Sequence, residues 1–85
     1  MKEFQYTIKD SLGIHARPAG LMVKEASKFK STIKICKDER EADCKRLLAV
    51  MGLGIKKDQE VSFYIEGEDE EAACEAMFHF MRENL

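Results

Sequence analysis

The sequence predicts an α+β fold in which one sheet carries all of its helices on a single face, an open-faced sandwich. Three observations support this fold class. Apolar and polar residues alternate in the segments expected to be strands, as in a sheet with one buried face. The two longer helical segments have one apolar stripe each. The elements follow in the order strand, helix, strand, strand, helix, strand, helix, so the sheet needs cover on one side only.

The first half of the chain predicts three strands and one helix. Aromatic and apolar residues alternate with polar ones from Lys2 to Ile8, which indicates a strand with one buried face. Apolar residues at helical spacing indicate a helix from Ala16 to about Phe29. A strand over Thr32–Cys36 follows, and the polar turn Lys37–Arg40 leads to a short return strand that ends near Ala42. This turn contains neither an Asn-Gly nor an Asp-Gly pair.

The second half predicts a short helix, a strand and a long helix. The segment Lys45–Met51 is apolar nearly all round and is closed by Gly52, as expected of a short helix. Alternation over Val61–Ile65 indicates the last strand. Asp69 is a candidate N-cap of the last helix, because acidic residues follow it and Arg82 lies in the last turn.

Length and charge limit the functional classes. Eighty-five residues predict a single domain, residues 1–85, near the lower size limit for a self-sufficient core. A formal charge of −2 with no basic arm argues against a nucleic-acid binder or a membrane-surface binder. No apolar run approaches the ~20 residues that cross a bilayer, and the first residues lack a signal-peptide core. We therefore expect a cytosolic protein.

No metal site or cofactor site is expected. Cys36, Cys44 and Cys74 have neither the spacing of a zinc site nor an even count for disulfides, so reduced thiols are expected. Packing is favoured over a redox role for Cys74 near a helix start. The segment Gly52–Gly54 does not continue into a nucleotide-binding loop. The acidic run Glu66–Glu71 is better explained by solvated charges at a helix start than by a metal site.

The segment around His15 predicts a site that handles phosphate. Gly13 can adopt backbone dihedrals that other residues avoid, and Pro18 suits the first turn of a helix, so His15 is expected where a helix begins. Free N–H groups and the helix dipole at such an end stabilise a phosphoryl dianion and disfavour an imidazolium. Arg17 adds a permanently charged donor suited to phosphoryl oxygens. His15 is thus predicted to be a neutral nucleophile.

A lone histidine is more often a structural side chain than a functional one, and His79 is interpreted as a surface residue with acidic neighbours. It falls on the polar side of the last helix, between Glu75 and Glu83. His15 differs because a glycine, an arginine and a proline surround it at defined offsets.

Two surfaces near His15 are candidates for partner binding. Arg17, Lys24 and Lys28 share one side of the first long helix with Leu21, which predicts a basic and partly apolar ridge. The ridge is either an ordinary solvated face or a docking surface for an acidic partner, and its position beside the histidine favours docking. The short second helix cannot bury all of its apolar residues, so part of its surface is expected to stay exposed. The alternative is that these residues belong to the core.

The residues from Gly13 to Ala19, Gly-Ile-His-Ala-Arg-Pro-Ala, resemble the active-site signature of HPr, the family of histidine-containing phosphocarriers of the bacterial phosphoenolpyruvate-dependent sugar phosphotransferase system. Residues Lys45–Gly54 resemble the second signature of that family, and Glu66–Glu70 resemble its last strand-to-helix turn. The resemblance therefore spans the chain. It implies a four-stranded antiparallel sheet with three helices, in agreement with the periodicity.

The resemblance also implies a function. The neutral Nδ1 of His15 would take a phosphoryl group from the phosphohistidine of Enzyme I, hold it near Arg17 and the start of the helix at Ala16–Pro18, and pass it to a sugar-specific A domain, EIIA. Such a protein is a co-substrate rather than a complete enzyme, needs no cofactor, and is expected to be a monomer. The positions that would dock partners are Leu21, Lys24, Arg46, Leu47, Leu48 and Met51.

Two positions depart from the family pattern. Arg46 stands where many Gram-positive members have a regulatory serine, which predicts that this switch is absent. Leu12 lies in the site loop where the family is often polar or small. Two alternatives to a carrier remain: an HPr-like regulatory adaptor that binds a transcription factor, a kinase or a metabolic enzyme, and a simple interaction module with a chance motif.

Overall fold

The computed structural model describes residues 1–85 and contains four strands and three helices. A single antiparallel sheet has the strand order β1-β4-β2-β3, which confirms the predicted fold class. The elements are β1 (Lys2–Thr7), α1 (Ala16–Ala26), β2 (Thr32–Lys37), β3 (Arg40–Asp43), α2 (Leu47–Met51), β4 (Glu60–Glu66) and α3 (Glu70–Asn84).

The core lies between the helices and one face of the sheet. Phe63 on the central strand β4 is fully buried and lies opposite Phe4 on one side and Ile35 on the other. The rings of Phe4 and Phe63 stack with centroids 4.7 Å apart. Alternate strand residues face the helices, as the periodicity predicted. The fully buried apolar residues that the two long helices contribute are Ala19, Met22, Ala26, Ala73, Met77 and Met81.

Helix α1 ends earlier than predicted. It stops at Ala26, not near Phe29, because the N–H groups of Lys28 and Phe29 donate to carbonyls only three residues back, at 3.2 Å. Such tighter turns are common at helix ends. The carbonyl of Phe29 is then taken by the ammonium of Lys45 at 2.8 Å. A contact from a distant part of the chain thus holds the segment that follows the helix.

Helix α2 begins later than predicted. It starts at Leu47, not at Lys45, because Asp43 holds the two preceding residues in a turn. The carboxylate of Asp43 accepts the Lys45 N–H at 2.9 Å, and its carbonyl accepts the Arg46 N–H at 3.0 Å. Aspartate commonly forms such turns with its own backbone.

The turn between β2 and β3 contains only two residues. Lys37 lies opposite Arg40 in the register, and Asp38 takes a left-handed backbone with φ +56°. Aspartate tolerates this conformation better than most residues, so the tight hairpin forms without an Asn-Gly pair.

Asp69 occupies the N-cap position of α3, as predicted, but its side chain does not cap the helix. Its carboxylate instead accepts hydrogen bonds from the Ser31 hydroxyl and from the backbone N–H groups of Ser31 and Lys30. The bond from the Ser31 hydroxyl is the main reason that the pKa of Asp69 falls to about 2. Asp69 therefore ties the start of α3 to the loop that precedes β2.

The three cysteines are free. Cys44 is buried, and burial also raises the pKa of the Cys74 thiol, so the start of α3 does not activate it. No helix has the length and apolar character needed to cross a membrane.

Candidate functional site

The loop that leads into α1 is held by hydrogen bonds from its backbone N–H groups. The carboxylate of Asp10 accepts the Leu12 N–H at 2.8 Å, and its carbonyl accepts the Gly13 N–H at 3.0 Å. The N–H of Ile14 donates to the carbonyl of Ile55 at 3.0 Å, and the Ile14 side chain is buried. These bonds fix the residue immediately before His15.

Gly13 is the position in this loop that only glycine fits. Its φ of +68° is left-handed, and a Cβ added there would lie 2.4 Å from the Ile55 carbonyl oxygen and 2.7 Å from the Lys56 Cα. Backbone cannot move away as the end of a flexible side chain could. The expectation that Gly13 supplies an unusual conformation is confirmed, and the close approach to Ile55 is an additional reason for it.

His15 is the N-cap residue of α1, as predicted. Its backbone is extended, with φ −102° and ψ −173°, and its carbonyl accepts the Ala19 N–H at 3.0 Å. The imidazole is half-buried and makes no capping hydrogen bond. The helix therefore begins at this residue without using its ring, which leaves the ring nitrogens free for chemistry.

The first turn of α1 presents unused hydrogen-bond donors. The N–H groups of Ala16 and Arg17 have no partner in the protein, and Pro18, the third helical residue, has no N–H to offer. This turn contains no acidic residue. Two free N–H groups thus follow His15 at the positive end of a helix of 11 residues, an arrangement that attracts an anion.

The cations around the site divide into free and paired groups. The exposed side chains of Arg17 and Lys24 form no ion pair. Lys28 lies beyond the end of α1 and pairs with Glu25 at 3.0 Å. The basic ridge predicted along α1 is therefore shorter than expected, because Lys28 lies outside the helix and its charge is paired with Glu25.

Helix α2 exposes apolar side chains, as predicted. Its Val50 is buried, whereas Leu48 is 82% exposed, and Leu47 and Met51 are about two-fifths exposed. We call these three exposed residues the apolar patch. Helix α1 packs against α2 and carries a further exposed apolar residue, Leu21, which is 42% exposed. Leu12 in the site loop is 70% exposed, and the sequence reasoning did not count it among the apolar surface residues.

Arg46 lies at the N-cap position of α2. Its backbone is extended, its side chain is exposed, and it makes neither a capping hydrogen bond nor an ion pair. Its charge is therefore open to solvent beside the apolar patch.

The second histidine lies in a different setting. The His79 Nε2 lies 2.7 Å from a carboxylate oxygen of Glu83 on the exposed face of α3, so the predicted acidic neighbour is present. No group of three or more His, Cys, Asp or Glu side chains is arranged to hold a metal ion.

Comparison with known proteins identifies the family. A family model described as the PTS HPr component phosphorylation site matches residues 2–83. The phosphocarrier protein HPr of Lysinibacillus sphaericus is 45% identical over 98% of this chain and 94% of its own length. A histidine-containing phosphocarrier protein of Mycoplasma superposes with a TM-score of 0.94 at 36% identity, covering 96% of this chain and 93% of the other.

A third relative is described as a dimer. The HPr dimer of Thermoanaerobacter tengcongensis superposes with a TM-score of 0.78 at 40% identity, covering 98% of this chain and 95% of the other. The sequence and the structure of this chain thus match those of HPr proteins over nearly its whole length. This agreement adds to the observation that His15 lies at an open helix N-terminus. The chain belongs to the HPr family of phosphocarriers of the bacterial phosphotransferase system.

Proposed function

We propose that this chain, as a single domain over residues 1–85, carries a phosphoryl group on Nδ1 of His15 from Enzyme I to sugar-specific EIIA domains. One observation carries the proposal: His15 begins α1, and the N–H groups of the next two residues have no partner in the protein. An acceptor histidine needs a free ring nitrogen and a place for the phosphoryl oxygens. The uncapped ring of His15 and the two unpaired N–H groups support the proposal on these two points.

Acceptance is a displacement at phosphorus. The lone pair of the neutral Nδ1 attacks the phosphorus of the donor phosphohistidine, one P–N bond forms as the other breaks, and the donor nitrogen takes back the electron pair. His15 gives up one ring proton and the donor imidazole takes one up, so no proton is consumed overall. Delivery to an EIIA domain is the same kind of displacement, with phosphorylated His15 as the donor and a group of the EIIA domain as the acceptor.

The start of α1 stabilises the phosphoryl oxygens. The N–H groups of Ala16 and Arg17 are donors directed by the helix, and the Arg17 guanidinium adds positive charge. Pro18 fixes the backbone of the third helical position without adding a donor. Two N–H groups and one exposed arginine give moderate stabilisation, which suits a carrier because a tightly held group would not be passed on.

Partners dock on the surface next to His15. The apolar patch, Leu47, Leu48 and Met51, together with Leu21, supplies area that loses water on contact. Lys24 on α1 and Arg46 at the start of α2 supply exposed positive charge that forms no ion pair. An acidic partner surface with an apolar centre matches this combination, and charge attraction speeds its encounter.

We further propose that Arg46 removes the regulatory switch known from serine-bearing members of the family. A phosphoserine would add negative charge at the start of α2, whereas arginine offers no hydroxyl and adds positive charge. HPr kinase/phosphorylase is therefore expected to leave the chain unmodified at this position. Incorporation of phosphate near α2 in the presence of that enzyme and ATP would contradict this.

The regulatory-adaptor alternative is separated from the carrier by delivery. An adaptor could be phosphorylated on His15 and bind its target, but it would not pass the group to a sugar-specific A domain.

We propose that the carrier acts in the cytosol as a monomer, although an HPr dimer is known for Thermoanaerobacter tengcongensis. Sedimentation at working concentration distinguishes the two oligomeric states.

The carrier function is tested by incubation with phosphoenolpyruvate and Enzyme I, followed by mass spectrometry before and after acid treatment. The expected result is one acid-labile phosphoryl group, absent in His15→Ala and present in the matched control His79→Ala. Addition of an EIIA domain should then discharge it. An unphosphorylated native chain, or full phosphorylation of His15→Ala, would rule the proposal out.

A further inference from the structure

We infer that Arg40 is a positioning residue for partner docking: from strand β3, its guanidinium holds the C-terminal end of α2 and so fixes the orientation of the apolar patch. This inference rests on the proposed carrier function, because the patch matters only if partners dock there. It concerns a residue of the β2–β3 hairpin that no sequence pattern marked as part of the site.

Helix α2 depends on contacts with the rest of the protein for its orientation. It has five residues, of which Val50 alone is buried. Isolated helices shorter than about 12 residues are marginal in water, so a helix of this length is not stable by itself. The contacts at its two ends therefore act together with the buried Val50 and the packing of α1 to set where the three side chains of the apolar patch point.

The N-terminal end of α2 is held by Asp43, the last residue of β3. Its carboxylate accepts the Lys45 N–H at 2.9 Å, and its carbonyl accepts the Arg46 N–H at 3.0 Å. Both bonds lie in the turn that immediately precedes the helix. This end is therefore fixed to the sheet by the chain itself.

The C-terminal end is held by Arg40, the first residue of β3. A terminal nitrogen of its guanidinium donates to the carbonyl oxygen of Gly52, the C-cap residue, at 2.7 Å. No backbone N–H donates to that carbonyl, and the last turn of α2 contains no basic residue of its own. A charged donor at a helix C-terminus both satisfies an orphan carbonyl and opposes the negative end of the dipole.

Arg40 is not occupied by an acidic partner. It forms no ion pair, although Glu39 and Glu41 flank it in the chain, and Glu41 pairs with Lys34 at 3.4 Å. The only hydrogen bond of its guanidinium is the one to the Gly52 carbonyl at the end of α2. Strand β3 thus holds both ends of the helix, with Asp43 at one end and Arg40 at the other.

The test compares Arg40→Ala and Arg40→Lys with Lys37→Ala as the matched control. Lys37 lies opposite Arg40 in the same hairpin, carries the same charge, and makes no side-chain hydrogen bond or ion pair. The first measurement is hydrogen exchange of the amides of Gly52 and Leu53, which bond within the end of α2. The second is KM and kcat for phosphoryl transfer from each carrier to an EIIA domain.

In Arg40→Ala, exchange at the end of α2 should accelerate about three- to tenfold, the change expected for loss of one hydrogen bond. KM should rise by a similar factor while kcat stays constant, because the reacting atoms at His15 are untouched. Arg40→Lys should recover part of both effects, since it keeps a charged donor. Lys37→Ala should change neither, and exchange in the core of α3 should be the same in all variants.

Unchanged exchange in Arg40→Ala overturns the inference, and so does faster exchange with an unchanged KM. An equal rise of KM in Lys37→Ala also overturns it, because net charge would then explain the effect. The carrier function is judged separately by phosphorylation of the native chain. Its absence contradicts the proposed function, whereas normal phosphorylation with no effect of Arg40→Ala contradicts only the role of Arg40.

Discussion

The two long helices of this protein each begin at a titratable residue, and they use that position in opposite ways. His15 begins α1 and Asp69 begins α3, and neither side chain caps its own helix. The Asp69 carboxylate is fully engaged by Ser31 and the adjoining backbone. The ring of His15 has no such engagement. The same position is thus structural in α3 and free in α1.

The first turns of α1 and α3 also differ in whether they contain acidic residues. In α3 the first turn contains Glu70 and Glu71, and the Glu70 carboxylate accepts the Gly67 N–H at 3.2 Å. The protein therefore supplies its own anions to that helix end. In α1 the first turn contains no acid, and two N–H groups remain free. An open helix N-terminus is a place where an external phosphoryl group can be held.

The largest expected effect comes from filling the space that Gly13 leaves. Gly13→Ala should cost about 2–4 kcal/mol of unfolding free energy, because it adds both a left-handed strain and a clash with the Ile55 carbonyl. Gly54→Ala, with φ +61° and open space, should cost about 1 kcal/mol. Gly20→Ala, within α1 and free of contacts, should stabilise by about 0.5–1 kcal/mol.

Urea unfolding of the three variants gives this order directly. Equal losses in Gly13→Ala and Gly54→Ala would contradict a steric role for the loop before His15.

A more selective test places an acidic residue in the first turn of α1, where α3 already has two. Ala16→Glu should slow acceptance from Enzyme I by about 10- to 100-fold, because a like charge then faces the phosphoryl group. It should also stabilise the fold by about 0.3–1 kcal/mol through the helix dipole. Ala16→Gln, of the same size but neutral, is the control. Equal rates for the two variants would show that charge at this helix end does not matter.

The role of Asp69 at the start of α3 is tested by the pH dependence of stability. The pKa of Asp69 is lowered from 3.8 to about 2, so its contribution to stability is present above pH 3.8 and is lost as the pH falls toward 2. In Ser31→Ala the hydroxyl donor is gone, the pKa of Asp69 should rise, and less stability should be lost over this acid range. Unfolding free energy measured against pH, with an NMR titration of Asp69, checks both statements. An unchanged Asp69 titration would contradict them.

The smallest effect is expected at Glu71. Its carboxylate is largely exposed and lies 3.8 Å from the Lys2 ammonium. Glu71→Gln should lower stability by about 0.3 kcal/mol, since it removes one dipole-aligned charge at the surface. Phosphoryl acceptance at His15 should be unchanged. A change in acceptance would mean that the two helix ends are not independent.

The sequence predicted those parts of the site that depend on local chemistry. Gly13, His15 and Pro18 define a loop and a helix start within six residues, so their arrangement follows from backbone preferences. The exposed surface of α2 follows from its length, because so short a helix cannot bury every apolar side chain.

The parts that could not be predicted depend on distant contacts. The Ser31 hydroxyl bonds to a carboxylate 38 residues away, and nothing in the local pattern distinguishes that carboxylate from an ordinary cap. Arg40 reaches the end of α2 across 12 residues. The segment that follows α1 is held by a hydrogen bond from Lys45, which lies in the turn before α2. In each case one long-range hydrogen bond overrides or adds to the local preference.

The most direct test of the account is the response of backbone amides to phosphorylation of His15, followed by NMR. We expect the largest amide proton shifts at Ala16 and Arg17, the two free donors of α1, and unchanged amide proton shifts at Glu70 and Glu71. Phosphorylation that leaves the Ala16 and Arg17 amides unchanged would contradict the claim that this helix end holds the phosphoryl group.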